Sequence, residues 1–307
     1  MADDGKGETA LARPMIASDL DKAGKGQLVY VGRDGEVKNP ARVRTQQLVQ
    51  YVAFGGISAA GVALAATSFP VLVPFYIVLG GRFFGTVRAV QRVNEASVAL
   101  SKGDAVRGRE LAEPVTRGWW LPGRVRALAE LRVAIADALD GKGNDALDRV
   151  RRARARLSPR LIQHQFSYYT EINLLTALGR TKEARAVLDA RGPVPSGEVL
   201  KLSYWIAQMH LFVADGAIPS GQLDDAELHE RMRKGLSMTA GKDLLLLCAW
   251  AYAQRGEHDE AAFAWREAKD REGSQRLDVA MPTLAAWMAA YAEAHPELDE
   301  PPPDDDL

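Results

Sequence analysis

The residues able to do chemistry are few and scattered. Gly141-Lys142-Gly143-Asn144-Asp145-Ala146 has the spacing of a dinucleotide-binding turn, in which backbone N–H groups approach a pyrophosphate. That chemistry needs an apolar strand leading into the turn, and none precedes it. The histidines, His164, His210, His229, His258 and His295, share no helix-face spacing and have no cysteine nearby, so no metal set is expected. Cys248, the single cysteine, lies among Leu244, Leu245, Leu246, Leu247, Ala249 and Trp250 and reads as core packing. Phosphate loops, nucleophile elbows and zinc-protease helices are absent from the sequence. The reading is a non-enzyme without a cofactor.

The remaining candidates are charged or aromatic and point to binding. Arg149-Val150-Arg151-Arg152-Ala153-Arg154-Ala155-Arg156 is the densest basic run, and a helix would place Arg149, Arg152 and Arg156 on one face. A solvated helix face explains such a run, as does contact with anionic lipid; without interleaved aromatics, nucleic acid is not expected. Trp119-Trp120-Leu121-Pro122 reads as a turn whose tryptophans either pack between helices or enter a membrane interface.

Net charge excludes a uniformly basic protein, since 39 Lys and Arg face 40 Asp and Glu. The distribution is uneven. Residues 82–160 hold 17 basic and 9 acidic side chains, a balance of +8, and residues 215–307 hold 9 and 20, a balance of −11.

Those side chains need elements to position them. No charge occurs between Arg44 and Arg82, and residues 48–79 are almost continuously apolar, beyond the length of about 18 that nominates a membrane span. The run begins after a long polar leader with many acidic residues, so a cleaved secretory signal is not expected. One straight helix over this stretch would be about 48 Å long against a hydrocarbon core of about 30 Å. Pro70 and Pro74 supply a break, giving a hairpin of residues 48–66 and 71–87; a single kinked span or a buried hairpin is the alternative. Lys38, Arg42 and Arg44 before the segment and Arg82, Arg88 and Arg92 after it place both flanks on the cytoplasmic side. Arg82, Arg88 and Arg92 join the Arg149, Arg152 and Arg156 face as candidate lipid contacts. Gly81-Arg82-Phe83-Phe84-Gly85 has the small-xxx-small spacing that lets helices, or two copies of the chain, approach closely.

Before the segment, Leu28-Val29-Tyr30-Val31 and Glu36-Val37 flank Asp34-Gly35, which suits a short β-hairpin, a recognition peptide or a linker. After it comes a repeat. Gly103, Gly141, Gly179, Gly216 and Gly256 each follow a helical pattern and stand 38, 38, 37 and 40 residues apart. Except after Gly216, a small residue follows five positions on, namely Gly108, Ala146, Ala184 and Ala261. The last unit is the most complete, with Ala249, Tyr252, Gly256, Ala261, Trp265 and Ala268. This set resembles the tetratricopeptide repeat, and the resemblance covers residues 90–272. Departures are a period longer than usual, no proline closing the last unit, and an interruption at Pro219, Ser220 and Gly221.

The resemblance implies helix pairs stacked into an α-solenoid, in which the first helix of each pair lines a groove holding a protein or peptide partner. It places Tyr169, Asn173, His210 and Trp250 in that groove. Val279, Leu284, Trp287, Met288 and Tyr291 continue the helical spacing and are expected to cap the stack.

The expected organisation is all-α: a polar leader over residues 1–44, a membrane hairpin over 45–88, about five tetratricopeptide-like helix pairs over 89–294, and an acidic disordered tail over 295–307. The expected role is a membrane-tethered adaptor or scaffold at the cytoplasmic face of an inner membrane. The alternative is a structural component of an oligomeric envelope assembly or export system, joined through the hairpin.

Overall fold

In the computed structural model, which describes residues 30–31, 37–38, 73–238, 241–269, 271 and 276–298, the chain from Val73 onward is helices joined by turns. Ahead of them β1 (Tyr30–Val31) pairs antiparallel with β2 (Val37–Lys38), Tyr30 opposite Lys38 and Val31 opposite Val37. These two strands flank the Asp34-Gly35 step.

Consecutive helix pairs follow: α1 (Val73–Ser101) with α2 (Ala105–Thr116), α3 (Gly123–Leu139) with α4 (Gly143–Ala155), α5 (Ile162–Ala177) with α6 (Thr181–Arg191), α7 (Glu198–Asp215) with α8 (Asp225–Leu236), and α9 (Lys242–Gln254) with α10 (His258–Lys269). One device ends the first helix of every pair. Gly103, Gly141, Gly179, Gly216 and Gly256 have φ between 71° and 77°, a left-handed conformation that penalises any Cβ. At Gly103 the glycine N–H donates to Leu100 O at 2.9 Å and the next N–H, from Asp104, to Ala99 O at 3.0 Å. At Gly256 the same two bonds run to Ala253 O at 3.1 Å and from Glu257 to Tyr252 O at 3.0 Å. The longer bond is the mark of a Schellman end, which satisfies carbonyls the helix leaves open. The period in the sequence is therefore a period of helix ends.

The small residue five positions on has a separate cause. Ala146, Ala184 and Ala261 are fully buried where the second helix crosses the first. Gly108, also buried, faces Leu100 so closely that a Cβ would stand 2.5 Å from Leu100 Cδ2. The fourth pair departs from the rule because α8 starts late, under an Asp224 cap that accepts from Glu227 N at 2.7 Å. The Pro219, Ser220 and Gly221 interruption thus falls inside a pair, between α7 and α8.

Successive helices pack on one another from α1 to α7 and from α8 to α10, and the first helices also touch in series from α1 through α3, α5 and α7 to α9, forming one continuous layer. At the α1 end the core is built of small side chains, among them Ala89, Val93, Ala96, Ala112, Val115 and Ala129. At the far end it is aromatic, with Trp205, Phe212, Trp250, Tyr252 and Trp265 in one cluster.

Two boundaries differ from the sequence reading. Helix α1 runs unbroken through residues 88 and 89, so the return limb of the expected hairpin and the first helix of the array are a single helix. Pro74 sits in its first turn, where a missing N–H leaves no intrahelical bond unmade. No described helix is long and apolar enough to cross a membrane; the first limb and Pro70 lie outside the described residues. At the other end, order extends past residue 295: Pro296–Leu298 forms a 3-10 turn and Leu298 is buried in the aromatic cluster. Lys269 Nζ donates to its carbonyl at 3.1 Å. An apolar side chain within reach of the core outweighs the acidic composition around it.

The segment expected to cap the stack folds back instead. Helix α11 (Leu277–Ala280) packs on α3 and α5, and α12 (Pro282–Ala294) packs on α7 and α9. All four are first helices.

Candidate functional site

The layer of first helices carries every residue that the repeat resemblance assigns to a groove. Tyr169 and Asn173 are on α5, His210 on α7 and Trp250 on α9. Packing has covered most of them. Tyr169 is 2% exposed, His210 0% and Trp250 3%, while Asn173 is half-buried. The four therefore do not line an open surface. Trp250 belongs to the same apolar cluster as Met281, Leu284 and Tyr291 from the folded-back segment.

His210 joins two of these helices, its Nδ1 standing 3.3 Å from Asn173 Oδ1. Burial pushes its pKa down to about 4, so the ring is neutral at neutral pH and the geometry assigns the proton to Nδ1, donating to the amide oxygen. Tyr169 meets Tyr204 of α7 edge-on at 6.3 Å between ring centres, which fixes the same pair of helices through aromatic contact.

The arginine run occupies α4 and is largely spent inside the fold. Arg149 Nε pairs with Asp137 at 2.7 Å and Arg156 Nη1 with Glu130 at 2.7 Å, both acids being on α3. From the other side of the helix, Arg151 Nε reaches Glu171 of α5 at 2.7 Å, and Arg154 pairs with the same carboxylate. Glu171 and Asp137 are themselves buried, and Arg109 of α2 adds a second cation to Asp137 at 2.9 Å. Helix α4 is thus a rail of cations stitched to acids on two neighbours. Of the face read as a lipid contact, Arg152 and Arg156 are exposed, Arg156 while paired to Glu130, and Arg149 is half-buried and paired to Asp137.

A second surface forms at the start of α1. Ile77, Val78, Leu79 and Phe84 are exposed, and Arg82, Arg88 and Arg92 are exposed beside them. The tryptophans at the turn after α2 split their roles. Trp120 lies over Gly85 so tightly that no Cβ fits beneath its ring, while Trp119 is 85% exposed. Gly80 and Gly81 face open space. One half of the Gly81 and Gly85 spacing is accordingly used within the chain.

The rest is packing. Gly141 and Lys142 form a turn between two helices, the wrong setting for a dinucleotide loop. Burial pushes the Cys248 thiol up to about 12, leaving it protonated and inert. No group of three or more His, Cys, Asp or Glu among the described residues is placed to hold a metal. Arg231, 2% exposed between α7, α8 and α9, donates to Gln208 Oε1 at 2.8 Å and lies 5.5 Å from the Trp205 ring centre; burial lowers its pKa. In the cleft lined by Glu198, Lys201, Trp205, Glu230, Arg233 and Lys234, Lys201 Nζ pairs with Glu230 at 2.6 Å and Lys234 with Glu198.

What the sequence reading missed is the occupant of the first-helix layer. A faint signal existed: α12 has Glu293 as its only charged residue, whereas an end cap needs a polar outer face. Comparison of the chain with protein-family models, with curated proteins and with solved structures finds no match.

Proposed function

We propose that this chain is a membrane-tethered adaptor, an α-solenoid of tetratricopeptide-like pairs that holds a protein or peptide partner at the cytoplasmic face of an inner membrane. The observation that carries the reading is α1. Its C-terminal half packs into the array through Ala89, Val93, Ala96 and Leu100, while its N-terminal half shows Ile77, Val78, Leu79 and Phe84 to solvent. A contiguous apolar patch of this kind is costly in water and marks a surface that meets lipid or protein. Upstream it continues directly into the uncharged run of residues 45–81. Arg82, Arg88 and Arg92 beside it, with Trp119 projecting nearby, have the cation and aromatic chemistry of a bilayer interface. Tethering would raise the local concentration of the partner.

The test is a topology map with reporters fused after residues 25, 69 and 307, together with alkaline extraction of the membranes. Extraction-resistant chain with the 25 and 307 reporters on the cytoplasmic side and the 69 reporter outside is the expected result. Release by alkali refutes anchoring, and an external 307 reporter replaces the hairpin by a single span. The envelope-assembly reading needs the hairpin to oligomerise, which crosslinking in membranes decides.

A further inference from the structure

The folded-back segment is held differently from the helices beneath it. Helix α11 buries none of its residues, and α12 buries Leu284 and Tyr291 of its thirteen. Met281 between the two helices adds a third anchor, and Trp287 and Met288 pack half-buried at the edge of the cluster. Helix α9, also thirteen residues long, buries nine in succession. The other first helices beneath the segment, α3, α5 and α7, bury eight of seventeen, seven of sixteen and eight of eighteen residues. The second helix α6 buries two of eleven, so sparse burial marks a helix held on one face; what sets the segment apart is its seat across four first helices. The segment's acid Asp278 pairs with Arg276 only two residues away, at 3.0 Å, and so does not tie it to the layer.

The anchors are of one kind. Leu284, Trp287, Met288 and Tyr291 fall at the i, i+3, i+4 and i+7 positions that one helix face presents to an apolar groove. Trp287 stacks on Tyr291 at 4.8 Å, and Trp265 of α10 meets both rings, at 5.9 and 5.8 Å between centres. The receiving surface thus combines the first-helix layer with an aromatic wall.

We propose that the face built from α3, α5, α7 and α9 is a docking surface for a helix and that residues 277–294 are its resident occupant. A partner enters by displacing them with an almost uncharged, alanine-rich helix bearing large apolar anchors at the same spacing. This rests on the adaptor reading and supplies its site. It also accounts for the cover over Trp250, which shares its apolar cluster with Met281, Leu284 and Tyr291. The resident lowers the partner's apparent affinity by the fraction of time that the face is covered, so weakening the resident strengthens the partner.

The test uses the full-length chain and a fluorescent peptide of residues 276–298. A variant carrying Leu284→Asp, Trp287→Ala and Tyr291→Ala should bind the peptide at least tenfold more tightly than the wild type. In the wild type, amide hydrogen exchange should be at least tenfold faster across α12 than across α9. A variant that keeps slow exchange in α9 yet does not bind the peptide overturns the proposal. So does loss of α9 protection in the variant, which would make the segment an integral part of the core, or equal protection of α9 and α12 in the wild type. A wild-type dimer abolished by the same substitutions would assign the face to a second copy and refute the partner. Neither readout involves a membrane, so a failed topology map leaves this result standing.

Discussion

Helices α9 and α12 have the same length and almost no charge, yet they do opposite jobs. In α9 residues 244–252 are all buried, because the helix is enclosed by α7, α8, α10 and α12. In α12 six of the thirteen residues are alanine and four of these are exposed, so the helix is held by a few large side chains. Hydropathy alone does not tell a core helix from a docked one; the difference lies in how many faces meet a neighbour. A helix enclosed on all sides unfolds with the domain, whereas one held on a single stripe opens at the lower free energy of its own contacts.

The comparison breaks most visibly through tryptophan. Trp250→Ala in α9 should cost about 3–5 kcal/mol by opening a cavity in a core that cannot collapse around it. Denaturant melts check it, and a loss below about 1 kcal/mol would mean that the α9 environment is loose. Any loss of partner binding in this variant would then report unfolding and not a lost contact. Acid provides the next largest effect, because His210 has its pKa at about 4 against an ordinary 6.5. The unfolded chain takes up this proton over that window and the native chain does not. Stability is therefore undiminished above pH 6.5 and falls by about 3 kcal/mol as the pH drops through 4. Melts of the wild type and His210→Gln at pH 7 and pH 4 test this, and equal losses in the two proteins would remove His210 as the cause.

Smaller effects sharpen the contrast. Gly108→Ala should cost about 1–3 kcal/mol by driving a methyl into Leu100 at the alanine-rich end of the core, measured by thermal unfolding. Trp287→Ala in α12 should change the global transition by less than about 1 kcal/mol while speeding hydrogen exchange locally across α12. A global loss as large as that from Trp250→Ala would place both helices in one cooperative unit.

How far the sequence reveals this molecule depends on whether a feature is local. The glycine period was readable because each Schellman end requires a positive φ at one residue, and that requirement leaves its mark at Gly103, Gly141, Gly179, Gly216 and Gly256. The Tyr30–Val31 and Val37–Lys38 pair is local in the same sense. The arginine run misled because its partners, Glu130, Asp137 and Glu171, belong to other helices, and no spacing within α4 announces them. His210, Tyr169 and Trp250 sit on the expected helices but are covered by residues distant in sequence, Tyr169 within a cluster drawn from α4, α6 and α7 and Trp250 within one that includes the folded-back segment. Leu277–Ala280 reaching α3 is a contact that only the tertiary structure specifies.

The rail of α4 bears on how the protein meets charged surroundings. Composition credits residues 82–160 with an excess of eight positive charges. Glu130 and Asp137, which meet Arg156 and Arg149, are already counted in that balance, so only Glu171, shared by Arg151 and Arg154, lowers it. The rail therefore fixes where the charge sits, against carboxylates on α3 and α5, and leaves most of the excess in place. Its reach is set by the Debye length, about 8 Å at physiological ionic strength. Adsorption of this half of the protein to a phosphate headgroup or an ion-exchange resin should accordingly weaken as salt is added.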